Sequence, residues 1–172
     1  MTEKKIISNT VITFAVLYAI LAILHLIIKD PTTDPKDTKV ILIGFVGLFI
    51  FIGIFVLAVK YYKGQGYEVF IGTGIKLGVL AGLLGGLIAG IYSYIYFAYL
   101  HPEMIDQILE MSKEILKENN MLDQEIFEQQ METSKKMFLP MQIVGQIITG
   151  LTYGLIGGLL GGIIYKTPRE DY

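Results

Sequence analysis

Four long stretches of this chain contain no Asp, Glu, Lys or Arg. Twenty-three such residues separate Lys5 from Lys29, 20 separate Lys39 from Lys60, 24 separate Lys76 from His101, and 29 separate Lys136 from Lys166. A helix rises about 1.5 Å per residue, so about 20 apolar residues cross a hydrocarbon core of about 30 Å. Every stretch reaches that length. The expectation is an all-α integral membrane bundle, one domain over residues 1–172, with spans at about 6–28, 40–59, 77–100 and 138–165. The first stretch follows Lys4 and Lys5, as a signal peptide would. It exceeds the roughly 7–15 residues of a signal core and ends in His25-Leu26-Ile27-Ile28-Lys29, not at a small-x-small cleavage site, so it reads as a retained helix.

The connections differ from one another. Lys29–Lys39 holds Pro31, Pro35, three Lys and three Asp, the composition of a solvated turn. Lys60–Lys76 is glycine-rich and partly apolar, and Tyr61 and Tyr62 stand at the headgroup depth where amphipathic rings settle. Its Gly64-Gln65-Gly66 lacks the GK[ST] and the strand–turn–helix setting of a phosphate loop. Tyr92, Tyr94, Tyr96 and Tyr99 form a second belt at the far end of the third span. Between Pro102 and Lys136 come nine acidic residues and four Lys. There Met104, Ile108, Met111 and Ile115 recur at helical spacing, Asn119-Asn120 marks a break, and a second short helix is expected over about Asp123 to Met137, with Ile126, Phe127, Met131 and Phe138 on one side. This predicts an amphipathic extramembrane pair over 102–136, followed by a fourth span with Pro140 in its first turns.

Glycine spacing is the feature that rises above composition. Gly74, Gly78, Gly82, Gly86 and Gly90 stand four residues apart in the third span, and Gly150, Gly154, Gly158 and Gly162 do so in the fourth. Gly85, Gly157 and Gly161 widen these stripes. Each set makes a ridge without side chains, and small-xxx-small ridges let helices approach closely where the hydrophobic effect gives no help. The expected role is helix packing, as a glycine zipper between the two spans; an oligomer seam and a pore lining are the alternatives. The segments Gly82–Ile88 and Gly154–Leu160 also resemble one another, which shared packing demands explain.

Chemistry-bearing groups are sparse. No cysteine is present, which removes disulfides, thiolate metal sites and cysteine nucleophiles. A net charge of −2 gives no footprint for nucleic acid. No span carries an ionisable Asp, Glu, Lys or Arg, the usual pointer to a transport path. Gln142 and Gln146, one turn apart in the fourth span, form the speculative polar site; bonding to a neighbouring helix is the ordinary role of such residues. His25 and His101 are expected near the same membrane face, but two histidines without a nearby intramembrane carboxylate make a poor metal site. The acidic insert lacks EF-hand spacing. No catalytic residue, cofactor or metal site is expected.

The whole chain resembles a bacterial inner-membrane family of unknown function. The likeness rests on Tyr61-Tyr62-Lys63, Gly74-Ile75-Lys76-Leu77-Gly78, Tyr92 to Tyr99 with His101-Pro102-Glu103, and Phe138-Leu139-Pro140. It implies four spans, a tyrosine- and glycine-containing turn before the third, an acidic helical insert before the fourth, and residence in a bacterial cell membrane. It implies no activity.

The leading functional reading is a non-enzymatic membrane component whose insert meets a partner, either another membrane protein or a second copy of the chain. A small transporter or channel subunit is the alternative. An even number of spans puts both termini and the 60–76 linker on one side. Lys and Arg number seven on each side, so the positive-inside comparison is tied, and the nine acids of the insert break the tie toward cytoplasmic termini. Single cysteines in this cysteine-free chain test both points. At Phe51 and Leu87 they are expected to resist an impermeant maleimide in intact cells. At Gln107 they should react from outside, and at Gln65 only after permeabilisation.

Overall fold

The computed structural model describes residues 2–29, 33–118 and 124–168. Among them the chain is all helical: α1 (Glu3–Lys29), α2 (Thr38–Gly64), α3 (Ile71–Ile95) with a terminal π turn (Tyr96–Leu100), α4 (Glu103–Glu118) and α5 (Gln124–Ile164). Four segments are long and apolar enough to cross a membrane: Glu3–Lys29, Thr38–Gly64, Ile71–Leu100 and Glu132–Ile164. All four segments start or end several residues outside the charge-free stretches. A lysine ends an apolar run, but its long stem lets the helix continue while the ammonium stays in water. Thus Lys4, Lys5, Lys60, Lys63 and Lys76 are all helical.

Local chemistry sets the ends. Asp34 and Asp37 carboxylates accept from the Lys36 and Lys39 backbone N–H groups at 2.8 Å, folding the α1–α2 linker and capping α2. Gly66 ends the turn after α2 at φ +83°, a conformation that suits glycine. Leucine there would be strained although nothing crowds the site.

One expectation changes. The second arm of the extramembrane pair is no separate helix: α5 runs unbroken for 41 residues, and Pro140 lies inside it. Proline leaves the carbonyl four residues earlier without its helical donor. That carbonyl belongs to Lys136, beside the charged end of the span, where water can take the bond. The side chains of Ile126, Phe127 and Met131, and the Asn119-Asn120 break, lie outside the described residues.

The bundle is organised around α3 and α5, which pack antiparallel over most of α3, from Gly74 against Gly162 to Gly90 against Ile143. A methyl group added to Gly74 would strike the Gly158 carbonyl; one on Gly78, the Gly154 carbonyl; one on Gly82, the Gly150 carbonyl. The next position breaks the pattern: a methyl on Gly86 would stand 2.6 Å from the Gln146 carbonyl oxygen, and one on Gly90 2.9 Å from the Ile143 Cα. Gly86 therefore lies opposite Gly150 and Gln146, while Gly158 lies opposite Gly74 and Gly78. The remaining glycines do not widen this seam. Gly85 receives α1, with the Ala15 carbonyl 2.7 Å from its would-be methyl. Gly157 and Gly161 receive α2, at Ile52 and Phe55 and then at Val56 and Val59. So α1 is seated on α3, and α2 runs parallel to α5 on its second glycine face.

At the end that holds both termini, polar bonds tie the helices. The Tyr62 hydroxyl donates to Glu3 Oε1 at 3.0 Å. The Val69 N–H donates to Thr167 Oγ1, and the Thr167 N–H donates back to the Val69 carbonyl, both at 2.9 Å.

Leucine at Gly86 or Gly158 must push two backbones apart. Each substitution is expected to lower unfolding free energy by about 1–3 kcal/mol, the range for overpacked cores, in a denaturant titration in detergent. Gly53→Ala, where nothing lies within 4 Å, should change it by less than about 1 kcal/mol.

Candidate functional site

Because α1 leans on α3 and α2 leans on α5, α1 and α5 hardly touch. The wedge between them holds a cavity of about 340 Å³ that reaches the α1–α2 linker. Tyr18, Ala22, His25 and Lys29 line it from α1. Their spacing of four, three and four residues places them on one helix face. Gln146, Thr149 and Tyr153 line it from α5 and Phe51 from α2, while Thr33 and Pro35 of the linker stand at its mouth.

Phe51, 7% exposed, is the hub of the inner end. Its ring stacks on Tyr153 at 5.6 Å between centroids and 7° between planes. It also meets Tyr18 at 5.4 Å and the edge of His25 at 5.5 Å. The His25 imidazole lies over Gly47, where an added methyl would fall 2.9 Å from Cε1, so the glycine makes room for the ring. Thr149 Oγ1 donates to the Gly145 carbonyl at 2.8 Å, which leaves its oxygen able to accept. The lining thus offers two phenols, an imidazole, an amide and the Thr149 hydroxyl around an aromatic floor, with the Lys29 ammonium and the Thr33 hydroxyl toward the mouth. Such a site orients a small molecule by hydrogen bonds and stacks its apolar part.

Of the two glutamines, only Gln146 lines this cavity; Gln142 is half-buried one turn toward the insert. The histidines are not brought together. His101 packs against Tyr96 at 4.7 Å and its Nδ1 lies 3.1 Å from Glu103 Oε1. The Glu103 carboxyl is held below the usual range, first by its own backbone N–H and then by His101. Sequence reasoning missed Tyr18, His25, Phe51, Thr149 and Tyr153 as one group. The spacing of Tyr18, Ala22, His25 and Lys29 carried a signal for α1; Phe51, one apolar residue among many, carried none.

The cavity mouth adjoins the insert. Asp34 and Lys36 of the linker share a shallow groove with Gln107, Glu110, Met111, Glu114 and Ile115 of α4. The π turn, closed by the His101 N–H donating to the Tyr96 carbonyl at 2.8 Å, redirects the chain from α3 into α4. Phe97 of that turn meets Phe138 of α5 edge-on at 5.3 Å. An ion pair between Asp106 and Lys135 joins α4 to α5.

Removing the Phe51 ring takes away three aromatic partners at once. Phe51→Ala is expected to cost about 3–5 kcal/mol of stability. Phe45→Ala, on the outer face at 60% exposure, should cost under about 1 kcal/mol, both read by thermal melting in detergent.

A family model described as "Protein of unknown function (DUF4199)" matches residues 11–167, a range that takes in the cavity and the insert. No curated protein and no solved structure matches the chain.

Proposed function

Given that the chain belongs to the DUF4199 family of proteins of unknown function, we propose that it is a non-enzymatic component of a bacterial cell membrane. In this reading it binds a small molecule in the α1–α2–α5 cavity and presents its state to a partner protein through the α4–α5 arm. The observation that carries the proposal is the unbroken α5 helix. Gln146, Thr149 and Tyr153 of the cavity lie on the same rod as the arm. At about 1.5 Å per residue the rod extends about 33 Å from Gln146 to its first residue. A continuous helix carries a tilt at the cavity to the arm, and Pro140, between the two, is a point at which it can bend. The α3–α5 seam, acting as a glycine zipper, supplies the fixed edge against which such a tilt occurs.

Two features support a binding role over catalysis. The described lining holds hydrogen-bonding and aromatic groups, and it lacks a carboxylate to work with His25 as paired acid and base. The acid-rich insert supports cytoplasmic termini, with the arm on the other face.

A small carrier is the second reading. It is favoured by a cavity that reaches one membrane face while the Glu3–Tyr62 and Val69–Thr167 bonds tie the other. One state of an alternating-access carrier has that form.

Affinity capture from native membranes separates the two. A partner is expected that is lost when Glu110 and Glu114 are both changed to Lys, and whose yield changes when Ala22→Phe fills the cavity. A chain that captures the same proteins in all three forms, and moves a solute across liposomes, is a carrier instead.

A further inference from the structure

We infer that the cavity's ligand is a single-chain anionic amphiphile, its acidic head beside Lys29 and its chain leaving the bundle between α1 and α2. This rests on the cavity reading above and adds the class of ligand.

Among the described residues lining the cavity, Lys29 alone carries a formal charge at neutral pH apart from any protonation of His25, and it sits at the mouth, next to the linker. Deeper in, the polar groups are neutral donors and acceptors. An ammonium at headgroup depth above an apolar, hydrogen-bonding interior suits a carboxylate or phosphate head joined to a hydrocarbon body. At about 340 Å³ the cavity stands at the low end of ligand-pocket volumes, room for a head and a short length of chain.

The second observation supplies the path for the remaining chain. On the outer side of the α1–α2 pair lies an apolar groove of about 350 Å³, bounded by Leu24 and Ile28 of α1 and by Leu42, Val46 and Ile50 of α2. His25 and Phe51 line both the groove and the cavity. The wall shared by the two spaces therefore includes an edge-on pair of rings 5.5 Å apart. Gly47 opposite His25 adds no side chain of its own. Rings turn about their side-chain bonds where a helix backbone cannot move aside, so this is where a chain passes between the cavity and the lipid.

The test uses the full chain in nanodiscs, a palmitate bearing a mid-chain diazirine, and the corresponding alcohol. The acid is expected to label saturably, on peptides of α1 and α2. Lys29→Gln should weaken that labelling about fivefold, the upper end for an exposed ion pair, and leave the alcohol unchanged. Val46→Trp should block the groove and weaken the acid without affecting octanoate as its competitor. Ala22→Phe, or Thr149→Phe if the first fails to melt cooperatively, should abolish saturable labelling. If acid and alcohol label alike and Lys29→Gln changes neither, while the cavity-filling variant removes both, the anionic class is wrong and the cavity stands. Labelling spread over all lipid-facing helices and indifferent to the cavity-filling variant overturns the ligand and the cavity reading together.

Discussion

The contact between the α3 and α5 backbones is the constraint on which the other parts depend. In hydrocarbon, apolar side chains gain little by exchanging lipid for one another, so association rests on dispersion over closely approaching surfaces. Gly74, Gly78 and Gly82 meet Gly158, Gly154 and Gly150 with no side chain between them. Two helices held this tightly form a narrow central wall. Each then has a second face to offer, and Gly85 on α3 and Gly157 and Gly161 on α5 are where α1 and α2 sit. The wedge between α1 and α5 follows from that arrangement. With α1 on α3 and α2 on α5, α1 meets α2 and stands clear of α5, and polar and aromatic side chains line the space left between them.

What could be read from residues alone has a physical boundary. Charge-free length reports the membrane crossing, because ionised groups are costly in hydrocarbon wherever they fall. A four-residue glycine repeat reports a smooth helix face. Both signals are carried by one segment at a time. The cavity is a property of three helices and a linker: Tyr18 and His25, Phe51, and Gln146 and Tyr153 become neighbours only after packing. A single polar residue in each span gives no hint of the others. Gln142 and Gln146 looked equivalent by spacing, and one turn along α5 leaves Gln142 beyond the end of the cavity.

The unbroken α5 marks another such boundary. Polar composition before Phe138 and proline at 140 argue locally for a new start. Pro140 costs one helical bond, and where that bond would have been made to a carbonyl near water the cost is small. Helix termini would leave several more groups unsatisfied. Continuity is then the easier solution, joining a membrane span to an extramembrane arm that composition alone assigns to separate elements.

The four-residue repeat of the seam has a translational consequence. If α5 slid along α3 by one repeat, about 6 Å, glycine would again face glycine and the ridge would fit nearly as well. The stripes are in this sense degenerate: they hold the helices close and leave the axial position open. The vernier must lie in features that do not repeat. Gln146 faces Gly90, where a shift would bring a glycine or Gln142 instead. Tyr18 of α1, seated at Gly85 of α3, meets Phe55 of α2, seated at Gly157 of α5, at 5.4 Å between ring centroids, a contact that a slip would part. At the terminal end, Thr167 and Val69 exchange two bonds that a one-repeat slip would break.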